Sequence, residues 1–342
     1  MSGDGPRGAR VGRARLVLAL RVAGTAAGLG WVLTHVDATA LGEAAREAGP
    51  APFAAAGALQ VGSLFLGAVR WRVLMRAYGA TAVPSLGIVC RRYLEGFFYN
   101  TYLPGGIGGD LVRGVGSRDA FASGRAGLGS VAAGVAVVLV DRALGLCALL
   151  LVGGAALAMG TALTGSRALG AGGSPSAAAF AGVAPVWLGA SGGAVAIAGL
   201  LTVVLARRVG ARVPGPVGPL LRALPALERP AGLAAALLLS LAIQGAVALT
   251  GHVFLARLFD APLAGSLVLV PVSMASAFLP ISVGGAGVRE ATFAALAPAL
   301  VGAPAAGAAA VALLLWSTQL AVAGAGGLLA LADRGDAPRP LR

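Results

Sequence analysis

An eleven-residue pattern occurs twice in the chain, and each copy breaks an apolar run that would otherwise be long enough to cross a membrane. Leu103–Arg113 reads LPGGIGGDLVR and Leu279–Arg289 reads LPISVGGAGVR, so both fit L-P-x-x-[IV]-G-G-x-x-V-R at a spacing of 176 residues. In each copy Pro and paired Gly end one apolar segment, and an Arg stands where the next begins. Matching interruptions in the two halves of a membrane protein are the sequence pointer to a transport site.

The segments around these breaks set the fold class. Hydrophobic residues make up 58% of the 342 and charged residues 11%, with mean hydropathy +0.86, against about 25% charged in soluble domains. Six segments are long enough to span about 30 Å of hydrocarbon as helices: 14–34, 51–75, 126–161, 179–206, 231–258 and 304–332. Two more, 84–122 and 263–301, are broken by the motifs. After the first glycines come Asp110, Arg113, Arg118, Asp119 and Arg125, too many charges for a lipid-facing span. Such a segment is expected to enter and turn back, its irregular tip buried in protein or lining a wet cavity. Adding 176 maps the first three spans onto the last three, and three crossings per half make the halves inverted. The expected fold is therefore an all-α integral membrane protein with six full spans plus two re-entrant helical hairpins in an inverted 3+3 repeat. Its one transmembrane domain covers 14–332, with halves 14–161 and 179–332 and tails at 1–13 and 333–342.

Charge sets the expected orientation. All 26 basic residues are Arg and the net charge is +13. With the N-terminus inside, twenty arginines fall in cytoplasmic stretches, three outside (Arg46, Arg167, Arg257) and three at membrane depth (Arg21, Arg142, Arg289). That asymmetry places both termini in the cytoplasm of a cell (inner) membrane protein. Short Arg clusters between apolar segments do not form a nucleic-acid-binding surface, so no nucleic-acid partner is expected. Cys90 and Cys147 stand in apolar surroundings, and His35 and His252 lack second ligands at metal spacing. No metal, no cofactor and no covalent chemistry are expected.

Asp141 and Arg142 lie inside a run of some 35 mostly apolar residues. Adjacent helical side chains point about 100° apart, so each is expected to meet a partner on another helix, as a gate or structural ion pair. The plainer alternative is a boundary between an interfacial helix and the true span. The repeat counterparts are Ser317 and Thr318, beside Trp316 and Gln319. Arg113 and Arg289 follow Gly-rich tips, where free backbone N–H groups and the helix dipole favour an anion and a guanidinium adds a planar fork. With Gly108, Gly109, Gly284 and Gly285 they form the candidate substrate site. Arg113 could instead be an interfacial anchor, and Glu290 offers Arg289 a local partner. Asn100, Asp110 and Ser282 flank the tips, to touch substrate or to order the turns. Phe97, Phe98, Tyr99, Tyr93 and Tyr102 read most simply as packing against lipid or neighbouring helices.

Four motifs in order carry a family resemblance: Arg70-Trp71-Arg72, the stretch Gly96–Arg113, Asp141–Leu146, and Leu279–Glu290. Over about 14–332 the chain resembles the transmembrane, flippase-like region of lysylphosphatidylglycerol synthases. The resemblance implies a translocase for a membrane lipid with an anionic or phosphate-bearing headgroup, and leaves a homo-oligomer open. The alternative is a non-catalytic membrane subunit that docks a polyprenyl- or glycolipid-processing enzyme. About ten residues follow Leu331, so the lysyl-transfer reaction of the fused enzymes is not expected of this chain. Trp316 stands near the position where family members often carry an Arg in the last span.

Overall fold

A computed structural model describes residues 38–102, 108–124, 128–164, 212, 227–276 and 287–332. The expected spans 14–34 and 179–206 lie outside these residues, as do the tip glycines Gly284 and Gly285 with Ser282. Every regular element among the described residues is helical: α1 (Ala38–Ala48), α2 (Pro50–Ala77), α3 (Leu86–Tyr102), α4 (Gly108–Gly116), a 3-10 segment (Arg118–Gly124), α5 (Leu128–Thr164), α6 (Pro230–Phe259), α7 (Leu263–Ser276), α8 (Val288–Val301) and α9 (Ala305–Ala332).

Four of these helices are long and apolar enough to cross a membrane: Pro50–Ala77, Ser130–Ala155, Pro230–Phe259 and Ala305–Leu329. They fall on four of the six expected spans. Pro50 and Pro230 begin α2 and α6, where the missing N–H would have had no intrahelical acceptor. Arg76 and Arg257 lie in the last turns of the same helices, against the negative dipole end. The 84–122 segment is broken into α3, α4 and the 3-10 turn, and 263–301 into α7 and α8. The short helix α1 has no counterpart in the expected layout. It turns Leu41, Ala44 and Ala45 onto the core beside Phe53 and leaves Glu43, Arg46 and Glu47 exposed, the amphipathic pattern of a helix lying in the membrane interface.

Helices before and after the middle of the chain start at a nearly constant spacing. From α2 to α6, α3 to α7, α4 to α8 and α5 to α9 the starts are 180, 177, 180 and 177 residues apart. The packing is reciprocal as well: α5 lies on α7 while α9 lies on α3, and α5 meets α6 while α9 meets α2. Among the described helices, the most extensive contact is between α2 and α6.

Without a hydrophobic drive between helices in lipid, close packing relies on small residues, and the α3–α4 hairpin uses them at its tightest point. A Cβ on Gly109 would run into the Gly96 carbonyl, and one on Gly134 would run into that of Gly114, joining α4 to α5. Among the described residues two large apolar clusters fill most of the bundle. One gathers Trp71, Leu74, Met75, Val89, Val137 and Leu144, and the other gathers Phe254, Leu255, Leu269, Phe293, Val311 and Leu314.

Candidate functional site

The α3–α4 hairpin is held by Asn100. Its Oδ1 accepts the Gly109 N–H at 2.8 Å and its Nδ2 donates to Asp110 Oδ1 at 3.3 Å. That clamp satisfies an amide of the first turn of α4 and fixes Asp110 and Arg113 on the face turned toward α5. Asn100 thus ties the end of α3 to the start of α4.

From this hairpin a line of alternating charges runs through the bundle. Ser240 Oγ on α6 accepts from Arg70 Nη1 at 2.9 Å, and Arg70 Nε donates to Asp141 Oδ1 at 2.7 Å. Asp141 Oδ2 accepts from Arg113 Nη1 at 3.3 Å, and Arg113 Nη2 donates to Asp110 Oδ1 at 2.7 Å. Asp110 closes the line with two bonds from Arg142: Nε to Oδ2 at 2.7 Å and Nη2 to Oδ1 at 3.0 Å. Three guanidiniums and two carboxylates leave this network one positive charge in excess. The Arg113 plane also lies over Tyr93, 4.6 Å from its centroid, and 5.4 Å from that of Trp71, a cation–π pair that strengthens with desolvation. Side-chain exposure is 6% for Arg70, 1% for Asp141 and 4% for Arg113, but 39% for Arg142.

Asp141 and Arg142 therefore do not pair with each other, and both find partners on other helices. Two sequence assignments change with this. Arg70 and Arg113, counted among the twenty cytoplasmic arginines, are both buried in the network. Arg113, expected to offer a fork to a headgroup, already gives that fork to two carboxylates.

The second motif builds a smaller cluster. Glu290 Oε2 accepts the Gly287 N–H at 2.7 Å, capping α8, and Oε1 accepts from Arg289 Nη2 at 2.8 Å and Nε at 3.1 Å. Arg289 Nη1 reaches Gln319 Oε1 at 3.4 Å, and its guanidinium lies 6.0 Å from the Trp316 ring. Ser317 and Thr318 do not take the part of Asp141 and Arg142: both hydroxyls bond the Leu314 carbonyl of their own helix. Gln319 supplies the reach instead.

Both clusters meet at one cavity of about 320 Å³, to which every helix from α2 to α9 contributes. Arg70, Arg113, Arg142, Arg289 and Asp141 line it with Gln60, Gln244 and Gln319, and Leu64, Leu146, Leu149, Ile243, Val247 and Met274 add an apolar wall. Asn100 faces it as well, and Gly108 and Gly109 open the helix beside it. Sequence reasoning missed Arg70, Tyr93, Gln244 and Gln319. Arg70 had a readable signal, since apolar residues flank its Arg-Trp-Arg motif on both sides and Asp141 needed a cation. Among the described residues no group of three His, Cys, Asp or Glu is placed to hold a metal.

A multi-pass helical bundle that keeps a chain of buried charges beside an arginine-lined cavity is an integral membrane protein built around a polar interior. The profile of the family described as lysylphosphatidylglycerol synthase TM region matches residues 16–327, and the chain belongs to that family. The membership associates this membrane protein with lipid handling. No curated protein matches the chain.

Proposed function

We propose that the protein is a lipid translocase of the flippase-like kind, which moves a phosphate-bearing headgroup between leaflets without covalent chemistry. The observation that carries this reading is the 320 Å³ cavity lined by Arg70, Arg113, Arg142 and Arg289, whose partners Asp141, Asp110 and Glu290 leave one positive charge in excess. A cavity of that charge favours an anion, and its low-dielectric walls strengthen the attraction. The headgroup would sit among the arginines while acyl chains stay against outward apolar residues such as Leu139, Leu238 and Leu328, all more than 60% exposed.

In this reading the bundle is an inverted repeat. The nearly constant helix offsets and reciprocal helix contacts support a two-fold relation between halves, and three crossings per half would invert them. The α3–α4 and α7–α8 pairs are then re-entrant hairpins that approach one cavity from opposite sides, an architecture suited to alternating access. The protein resides in the cell membrane with both termini in the cytoplasm.

Vesicle reconstitution tests the proposal. Labelled phosphatidylglycerol in the inner leaflet should become accessible to an external quencher only when the protein is present, and a neutral lipid should cross more slowly. Gly145→Leu provides a plugged control, because Gly145 lines the cavity and a Cβ there meets only the Arg70 guanidinium, at 3.6 Å or more. Its rate should fall by roughly tenfold or more, an added barrier of about 1.4 kcal/mol, with folded yield unchanged. Equal rates with and without protein would leave the docking subunit as the reading to pursue.

A further inference from the structure

The charge line ends unevenly. Its inner end is a buried hydroxyl, Ser240, and its outer end is Arg142, six to ten times more exposed than the other two guanidiniums of the line. We propose that Arg142 is the residue that receives the headgroup phosphate, and that Asp110 is a resident competitor which occupies the Arg142 fork until a phosphate displaces it. The inference rests on the translocase reading and assigns the anion seat within that cavity.

Geometry supplies the first reason. Asp110 engages Arg142 through Nε and Nη2 with both carboxylate oxygens, the planar two-point contact that two oxygens of a phosphate also make. The second reason is what displacement leaves behind. Asp110 would keep Arg113 Nη2 at 2.7 Å and Asn100 Nδ2 at 3.3 Å, so exchange strands neither a buried carboxylate nor a buried cation. None of the other three cavity arginines has that freedom. Releasing Arg113 or Arg70 would break contacts to Asp141, which is 1% exposed, and Arg289 is held at Nε and Nη2 by its own neighbour. The third reason is charge: a singly charged phosphodiester would neutralise the one positive charge the network carries in excess. A soluble glycerophosphodiester shares that chemistry, but the apolar wall of Leu146, Ile243 and Met274 on the same cavity favours a lipid whose glycerol and first acyl carbons follow the phosphate in while the chain ends stay in the bilayer.

Equilibrium binding of labelled phosphatidylglycerol to the detergent-solubilised full chain tests the seat. Arg142→Gln should weaken binding by roughly tenfold or more, the scale of one lost charge-assisted contact, while melting near wild type because Asp110 keeps two partners. Arg142→Lys should fall between, keeping charge without the fork. Asp110→Asn should bind several-fold tighter, roughly, because the competing charge is gone. That gain should vanish in Asp110→Asn with Arg142→Gln. Should Asp110→Asn fail to fold, the two Arg142 variants decide alone. Wild-type binding by Arg142→Gln would overturn the assignment, as would weaker binding by a natively melting Asp110→Asn. Displacement of the lipid by glycerophosphoglycerol at equal concentration would overturn the choice of a lipid over a soluble anion. Vesicle transport, measured separately, divides the two claims. Lipid transport by Arg142→Gln at the wild-type rate would remove the seat and leave the translocase; binding as described without transport would do the reverse.

Discussion

Asp141→Asn should lower the stability of the folded protein by about 3–5 kcal/mol, the usual result of removing one partner from a buried ion pair. Asp141 is 1% exposed and holds Arg70 at 2.7 Å and Arg113 at 3.3 Å, so the neutral amide leaves two buried guanidiniums facing each other with less compensation. The expected readout is a large loss of monodisperse protein in detergent and a clearly lower melting transition. The network also specifies which second change restores stability. Arg70→Gln with Asp141→Asn removes the stranded charge, while Arg113 keeps Asp110, so melting should recover toward wild type. Arg142→Gln should not rescue Asp141→Asn, because Arg142 belongs to Asp110. Wild-type melting of Asp141→Asn, or rescue through Arg142 alone, would contradict the network.

Gly109→Ala should be nearly as damaging through a different cause. The added methyl would be driven into the Gly96 carbonyl, a backbone atom with no rotamer to yield. The hairpin would have to open, and Asn100 would lose its 2.8 Å bond to the Gly109 amide. Overpacking of this kind costs about 1–3 kcal/mol and more where backbone must move. Because α4 carries both Asp110 and Arg113, translocation should fall further than stability does. Gly57→Ala is the matched control: nothing lies within 4 Å of a Cβ there, and Gly→Ala changes inside a helix with room for the methyl gain up to about 1 kcal/mol. Thermal melting of the two variants side by side checks the difference. Equal melting would mean that α3 and α4 do not approach at these glycines.

These two variants also mark where the sequence was legible. The breaks at 84–122 and 263–301, and four of the six expected spans, could be read because Pro, Gly and apolar length act locally. The Asn100 contact with the start of α4 was legible for the same reason, since Asn100, Gly109 and Asp110 are near neighbours in sequence. The partners of Asp141 were not. Arg70 is 71 residues away and Arg113 is 28, and nothing local separates an arginine that ends a span from one that closes a buried network. Counting charges by loop assigned both to the cytoplasmic side. Tyr93 escaped because an aromatic next to an apolar helix face looks the same whether it meets lipid or the plane of Arg113. Ser317 and Thr318, the positions 176 residues after Asp141 and Arg142, bond within their own helix, since a hydroxyl can return to a carbonyl one turn back and a guanidinium cannot.

The central claim is that a lipid headgroup enters the arginine-lined cavity. The most direct measurement is photolabelling of the reconstituted wild-type protein with a phospholipid that carries its photoreactive group on the headgroup, followed by peptide mapping. The account predicts adducts on cavity residues such as Tyr93, Phe97 and Met274, reduced by excess unlabelled phosphatidylglycerol. Adducts confined to the outward face around Leu139, Leu238 and Leu328, and insensitive to that excess, would contradict it.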